Sequence, residues 1–134
     1  ENIIPNETWA PDYVAQLMPK FEQKITGIAM NVPVANGSCI DLTTEMAIMP
    51  TIEEVNRSFQ KASRENLTGL VRYTEDPIVS SDAIGGGETM LFDSKATMIA
   101  SEKLLKTVAW FDNGWGFASR ILELAESYSQ LERA

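Results

Sequence analysis

Apolar residues recur at helical spacing in three stretches of the chain, and each stretch predicts an amphipathic helix. The first covers residues 10–23, where Pro19 should bend or break the last turn because proline lacks an N–H donor. The second follows Thr51, which has the spacing of a capping box with the glutamate three residues later, and should fade before Asn66. The third is expected from about residue 115 to residue 131.

Alternating apolar and polar positions predict strands in the segments between these helices. Residues 24–34 and 38–47 alternate on either side of an Asn-Gly turn, a pattern typical of an antiparallel hairpin. Further strands are expected over residues 67–74, 89–100 and 104–111. Hairpin-linked strands combined with a few helices indicate an α+β fold, in which a mainly antiparallel, mixed sheet carries helices on one face.

The composition is that of one globular domain over residues 1–134, and the net charge argues against some classes of binding partner. Hydrophobic residues make up 44% of the chain, and the formal net charge is -8. An acidic surface repels nucleic-acid phosphates and anionic membranes, so neither is expected as a partner. No segment approaches the roughly 20 apolar residues of a membrane span. A single cysteine fits a reducing compartment, and we expect a cytoplasmic location.

The sequence contains no histidine and only one cysteine, Cys39, which restricts its chemistry. The absence of histidine removes the commonest general base and the commonest zinc ligand, so no metal site is expected. Cys39 lies inside a predicted strand without a histidine to activate its thiol. A small strand residue is therefore a simpler interpretation of Cys39 than a nucleophile.

Two segments, residues 85–87 and residues 112–120, could have either a structural or a ligand-binding role. The glycines at residues 85–87 could cradle a phosphate, but they lack the motifs of known phosphate loops, and a plain flexible loop is the simpler interpretation. Asp112 and Arg120 are expected to form a structural ion pair. Asn113, expected to be a buried polar residue, lies in a cluster of tryptophan and phenylalanine side chains. This cluster marks a core edge, an interface or a ligand contact.

Six short segments, arranged in order along nearly the whole chain, carry a resemblance to a known family. These segments are residues 2–5, 24–33, 41–43, 73–82, 92–96 and 108–117. They resemble the catalytic domain of the phosphorylating glyceraldehyde-3-phosphate dehydrogenase family, whose corresponding motifs are of the types KLTGMAFRVP, YTEDEVVSSD and WYDNEWGY. The run at residues 115–120 also resembles the sister enzyme, erythrose-4-phosphate dehydrogenase.

The resemblance implies the latter part of a catalytic α+β domain together with its final helix. In the family, this domain works with an amino-terminal Rossmann domain that binds NAD, and the enzyme oxidises a sugar-phosphate aldehyde in glycolysis. That Rossmann domain is not expected within residues 1–134, so no cofactor is expected to bind to this chain alone. The implied partners are the missing NAD-binding half, which the final helix contacts in the family, and further copies in a homo-oligomer.

The resemblance also assigns four candidate site residues. Asn113 matches the asparagine that contacts the nicotinamide amide of NAD, and Phe117 stands nearby where a tyrosine is usual. Thr8 matches a threonine that binds the substrate phosphate, although Trp9 replaces the glycine that follows it in the family. Asn31 replaces a phosphate-contacting arginine. Asparagine lacks the charge and the planar fork of arginine, so anion binding should be weakened.

The nucleophilic cysteine of the family and its activating histidine have no counterpart among the matched segments. Cys39 corresponds to an aliphatic strand position, so no catalytic residue is expected in this chain, and the chain alone is predicted to be inactive. Three interpretations follow. The chain is an inactive, truncated fragment or relative, or half of a split dehydrogenase that a separate NAD-binding chain completes, or a non-catalytic oligomerisation or binding module.

Overall fold

The computed structural model describes residues 1–131, and the chain divides into two compact units. The first unit is Glu1–Ala35, and the second begins at Asn36. The elements of the first unit are β1 (Ile4–Asn6), α1 (Ala10–Leu17), a 3-10 turn (Pro19–Phe21) and β2 (Ala29–Asn31). Its two short strands pair antiparallel.

Helix α1 ends earlier than the apolar stripe because proline interrupts it. The amide of Met18 donates to the Val14 carbonyl at 2.8 Å, and Pro19 then has no N–H to continue the series. Pro19 begins the separate 3-10 turn. The predicted break is therefore confirmed, and the single helix predicted over residues 10–23 is in fact two short pieces.

The predicted hairpin between residues 24–34 and 38–47 is wrong. β2 is only three residues long and pairs with β1, whereas the second predicted strand pairs with a later strand of the chain. After β2, the amide of Val34 donates to the Val32 carbonyl at 2.8 Å, which closes a three-residue turn around Pro33. This local turn ends the extended stretch before the Asn-Gly segment is reached.

The second unit is built on a four-stranded sheet. Its elements are β3 (Ser38–Glu45), α2 (Ile52–Arg64), β4 (Val71–Thr74), a 3-10 turn (Ser80–Ala83), β5 (Met90–Ile99), β6 (Leu104–Phe111) and α3, described over Asn113–Leu131. The strand order is β3-β6-β5-β4, in which β4 and β5 run parallel and the other neighbours run antiparallel. The sheet is therefore mixed, and the predicted α+β fold is confirmed.

Local hydrogen bonds determine where α2 and β4 begin. The Thr51 hydroxyl accepts from the Glu54 amide at 3.1 Å and the Glu54 carboxylate accepts from the Thr51 amide at 2.8 Å, so the predicted capping box is confirmed. The Thr51 amide also lowers the pKa of the Glu54 carboxyl. The Leu67 carbonyl accepts from the Val71 amide at 2.9 Å, so a turn occupies the first part of the strand predicted over residues 67–74.

The hydrophobic core of the second unit lies between α2 and the sheet. Its buried members are Val55, Val71, Phe92 and Leu105. Phe92 is only 1% exposed, and its ring stacks on Phe59 of α2 with 3.8 Å between the ring centroids. α2 thus covers the face of the sheet at β4 and β5, where most of the apolar side chains are collected.

A bulge interrupts β5 after Asp93, and the register with β6 shifts before Met98. Asp93 is buried, and its Oδ1 accepts from the amides of Lys95 and Ala96 at 3.1 and 3.2 Å. Its Oδ2 accepts from the indole N–H of Trp110 at 3.1 Å. The carboxylate therefore satisfies backbone groups that the bulge removes from the ladder.

Replacing the central aromatic residue should remove much of the stability of this unit. We expect Phe92→Ala to lower the free energy of unfolding by about 3–5 kcal/mol, because it leaves a cavity at the centre of the core. Phe117→Ala is the matched control, since that ring is 68% exposed, and it should change stability by less than about 0.5 kcal/mol. Urea unfolding followed by near-ultraviolet circular dichroism measures both. Equal losses would contradict the placement of Phe92 at the core centre.

Candidate functional site

Helix α3 follows β6 directly, and Asp112 forms the joint between them. The Oδ1 atom of Asp112 accepts from the Trp115 amide at 2.9 Å, and its carbonyl accepts from the Gly116 amide at 3.0 Å. Asp112 therefore caps the helix, because its carboxylate satisfies an N–H group that has no partner within the helix. This cap explains why α3 begins at Asn113, two residues before the predicted start.

The same carboxylate joins two further segments of the second unit. Its Oδ2 atom accepts from the side-chain amide of Asn36 at 3.1 Å and from the backbone amide of Gly85 at 2.9 Å. Asp112 is only 6% exposed. The amides of Gly85 and Trp115 lower the pKa of Asp112, so its carboxylate is ionised at neutral pH. Gly85 of the glycine loop is consequently tied to this joint.

Arg120 ties the second turn of α3 to the segment before β5. Its guanidinium donates to the Thr89 hydroxyl at 2.7 Å and pairs with Glu123 one turn further along the helix. The predicted ion pair between Asp112 and Arg120 is therefore wrong. Both Asp112 oxygens accept from uncharged N–H donors, and Arg120 contacts other partners.

Gly116 allows close approach between α3 and the neighbouring backbone. It is the buried residue of the helix, and a Cβ atom there would lie 3.1 Å from the Glu88 carbonyl oxygen. A side chain at this position would push the helix and the segment around Glu88 apart. Sequence inspection missed both Gly116 and the joint at Asp112. The position of Asp112 directly before a helix was the one signal that could have revealed the joint.

The two candidate cofactor residues lie one helical turn apart at the start of α3. Asn113 is the first residue of the helix and Phe117 follows four positions later, so both belong to one helix face. Asn113 is exposed, which corrects the prediction that it is buried, and Phe117 is exposed as well. A free amide beside an exposed ring offers a hydrogen-bonding group and an apolar surface to a planar ligand.

The two candidate phosphate residues belong to the first unit. Thr8 lies just before α1, and its hydroxyl oxygen accepts from the Ala10 amide at 3.2 Å. The hydroxyl hydrogen of Thr8 is left to donate to an anion. Asn31 is the last residue of β2, opposite Ile4 of β1, and is exposed. Trp9, between Thr8 and the helix, is 69% exposed.

Other reactive groups of the described residues offer little chemistry. Cys39 is an exposed free thiol on β3, opposite Trp110 of β6. Within residues 1–131, no group of three histidine, cysteine or acidic side chains is arranged to hold a metal ion. A groove of about 620 Å³ lies beside α2, and both cations, such as Arg57 and Lys95, and carboxylates line it. Its mixed charge selects no class of ligand.

The fold defines an α+β domain with a mixed sheet, and comparison with known proteins gives its family. Residues 1–113 match the family model of the glyceraldehyde 3-phosphate dehydrogenase, C-terminal domain, and the chain belongs to that family. Glyceraldehyde-3-phosphate dehydrogenase 2 of Streptomyces avermitilis is 44% identical over 124 residues, which cover 92% of this chain and 37% of that protein. The resemblance inferred from sequence motifs is thus confirmed.

Two further relatives have similar coverage. The glyceraldehyde-3-phosphate dehydrogenase of Neurospora crassa is 39% identical over 132 residues, 98% of this chain and 39% of that protein. The cytosolic glyceraldehyde-3-phosphate dehydrogenase of Craterostigma plantagineum is 39% identical over 123 residues, 92% of this chain and 36% of that protein. The chain therefore spans little more than a third of the length of these relatives.

No helix within residues 1–131 is long and apolar enough to cross a membrane.

Two glycines at the start of α3 should respond oppositely to an added methyl group. We expect Gly116→Ala to lower the stability by about 1–3 kcal/mol, because the new Cβ meets the Glu88 carbonyl oxygen. The matched control is Gly114→Ala, whose Cβ would lie 3.7 Å from the nearest atom and should leave stability unchanged or slightly higher. Thermal unfolding followed by circular dichroism compares them. A Gly116→Ala variant as stable as Gly114→Ala would contradict the close approach between the helix and this segment.

Proposed function

We propose that this chain supplies the carboxy-terminal part of the catalytic domain of an NAD-dependent, phosphorylating sugar-phosphate aldehyde dehydrogenase of glycolysis. We also propose that residues 1–134 do not catalyse the reaction alone. The inactivity of the chain alone is proposed because the sequence contains no histidine and its one cysteine, Cys39, is exposed on a strand. Covalent oxidation of an aldehyde needs a thiolate beside a proton acceptor, and this chain has no such pair.

The chain would contribute two residues that contact the cofactor, Asn113 and Phe117. NAD, when bound, accepts the hydride that leaves the aldehyde carbon. The exposed side chain of Asn113 carries both a donor and an acceptor, which fit the amide of the nicotinamide ring. Phe117, one turn along the helix, offers the apolar surface next to it. Neither residue takes part in bond making, so their role is to orient the ring.

The chain would also contribute to phosphate binding, with reduced strength. Thr8 retains a hydroxyl that can donate to a phosphate oxygen. Asn31 offers a neutral amide where the family has arginine, and Trp9 places an indole where the family has glycine. A neutral donor forms weaker bonds to an anion than a guanidinium does. We therefore infer poorer affinity for phosphorylated aldehydes than the family pattern provides.

The surface of the second unit supports a requirement for an NAD-binding half, either as a preceding domain or as a separate chain. Large apolar side chains are exposed along α3, namely Trp115, Phe117, Ile121, Leu122, Leu124, Tyr128 and Leu131. β3 is an edge strand of eight residues on which Ile40 and Leu42 are half exposed. Exposed apolar helices and long edge strands are typical of surfaces that another chain covers.

These surfaces also support assembly into a homo-oligomer.

The relative from Craterostigma plantagineum is named cytosolic. We propose a cytoplasmic location for this chain as well.

The activity of the chain should depend on completion by an NAD-binding half. We expect the purified chain to give no turnover above background with glyceraldehyde 3-phosphate, NAD and phosphate. A chimera in which this chain replaces the matched region of the Streptomyces avermitilis relative should reduce NAD in an aldehyde-dependent manner. Both assays follow the absorbance of NADH. Turnover by the chain alone that Cys39→Ser abolishes would overturn the proposal, because Cys39 would then be a nucleophile.

Restoring the missing cation should strengthen binding of the phosphorylated aldehyde. In the chimera, Asn31→Arg should lower the KM for glyceraldehyde 3-phosphate about tenfold, because a charged hydrogen bond to phosphate replaces a neutral one. Asn31→Gln is the control, since it lengthens the side chain without adding charge. The KM for NAD should be the same in all three proteins. An unchanged aldehyde KM in Asn31→Arg would show that Asn31 lies outside the phosphate site.

A further inference from the structure

We propose that Asp112 is a positioning residue that holds the corner formed by Asn113 and Gly114 in the arrangement needed to orient the nicotinamide ring. This inference rests on the proposed function and extends it from the residue that contacts the ring to the residue that places it. Asp112 touches neither substrate nor cofactor in this scheme. It acts only through the backbone that carries Asn113.

Two hydrogen bonds from the residues after Asn113 to Asp112, which precedes it, close a turn around Asn113. The Asp112 carboxylate accepts from the Trp115 amide at 2.9 Å and its carbonyl accepts from the Gly116 amide at 3.0 Å. Asn113 and Gly114 therefore lie within a turn that these two bonds close. The backbone of Asn113 is fixed by this turn, whereas its side chain remains exposed and free to contact a ligand.

The residue after Asn113 makes such a restraint necessary. Gly114 has no Cβ, and a glycine backbone reaches conformations that other residues exclude. No neighbouring side chain packs tightly on it, since the nearest atom to a Cβ built there is Asp112 Oδ1 at 3.7 Å. Without the bonds of Asp112, the peptide that follows Asn113 would have the freedom of glycine at the start of an exposed helix.

Asp112 does more than cap a helix, because its second oxygen binds outside the helix. Oδ2 accepts from the Asn36 side chain at 3.1 Å and from the Gly85 amide at 2.9 Å. A serine at this position could still cap the helix, but it could not reach both of these donors. The corner is therefore located relative to two other segments of the same unit. Loss of the two Oδ2 bonds alone would release the corner from the Asn36 and Gly85 segments, while a capping serine would keep its turn closed.

The test uses the chimera described above and compares Asp112→Ser with the wild type. We expect the KM for NAD to rise about tenfold, which corresponds to the loss of roughly one neutral hydrogen bond between Asn113 and the nicotinamide amide. The KM for the aldehyde should stay unchanged. Asp82→Asn is the control, because Asp82 is an exposed carboxylate that accepts from the Val79 amide at 2.7 Å in another turn. It should leave both KM values unchanged.

A double variant distinguishes positioning from general loosening. If Asp112 acts through Asn113, Asp112→Ser should have no further effect on the KM for NAD once Asn113→Ala is present. A purely structural role would instead reduce the amount of active protein and leave the KM for NAD unchanged in the single variant. That result, or equal effects with and without Asn113, would overturn the inference.

Failure of the inference and failure of the proposed function give different results. A wild-type chimera without NAD-dependent turnover overturns both. Normal wild-type turnover with an unchanged KM for NAD in Asp112→Ser overturns the positioning role alone. In the isolated chain, Asp112→Ser should also increase hydrogen exchange at the Gly85 amide, which loses its acceptor, while the Trp115 amide stays protected by the serine cap. Unchanged exchange at the Gly85 amide would show that Asp112 does not hold this loop.

Discussion

The second unit depends on a single buried carboxylate at the point where the sheet becomes a helix. Asp112 follows the last residue of β6 and accepts from three N–H donors that belong to the Asn36 segment, the Gly85 loop and the first turn of α3. A buried acceptor of this kind is stable only while all its donors stay in place. The three segments are therefore fixed together, and the orientation of α3 follows from them.

Polar contacts are important here because α3 has so little apolar packing. An isolated helix of 19 residues is only marginally stable in water, and most helices gain stability from a buried face. The apolar residues of α3 are exposed, whereas the core of the unit is collected under α2 around Phe92. The bonds of Asp112 and Arg120, with the close approach at Gly116, hold the base of α3 and leave its apolar face open.

The features that the sequence predicted well are those with local causes. The capping box at Thr51, the break at Pro19 and the order of the elements from α1 onward depend on neighbouring residues, and the sequence displays them directly, whereas β1 was not predicted. The hairpin prediction failed because strand pairing is a long-range choice that a local turn at Pro33 altered. The joint at Asp112 was equally hidden, since its donors are up to 76 residues away in the chain.

The proposed cofactor residue and the proposed phosphate residues lie in different units and in different surroundings. Asn113, the proposed cofactor contact, is carried by a turn built from backbone amides and one carboxylate of the second unit. Trp9 and Asn31, which depart from the family pattern at the proposed phosphate residues, are exposed. Exposed positions tolerate substitution without loss of fold, whereas a buried joint does not. The surroundings of Asn113 therefore resist substitution, whereas Trp9 and Asn31 can change without loss of the fold.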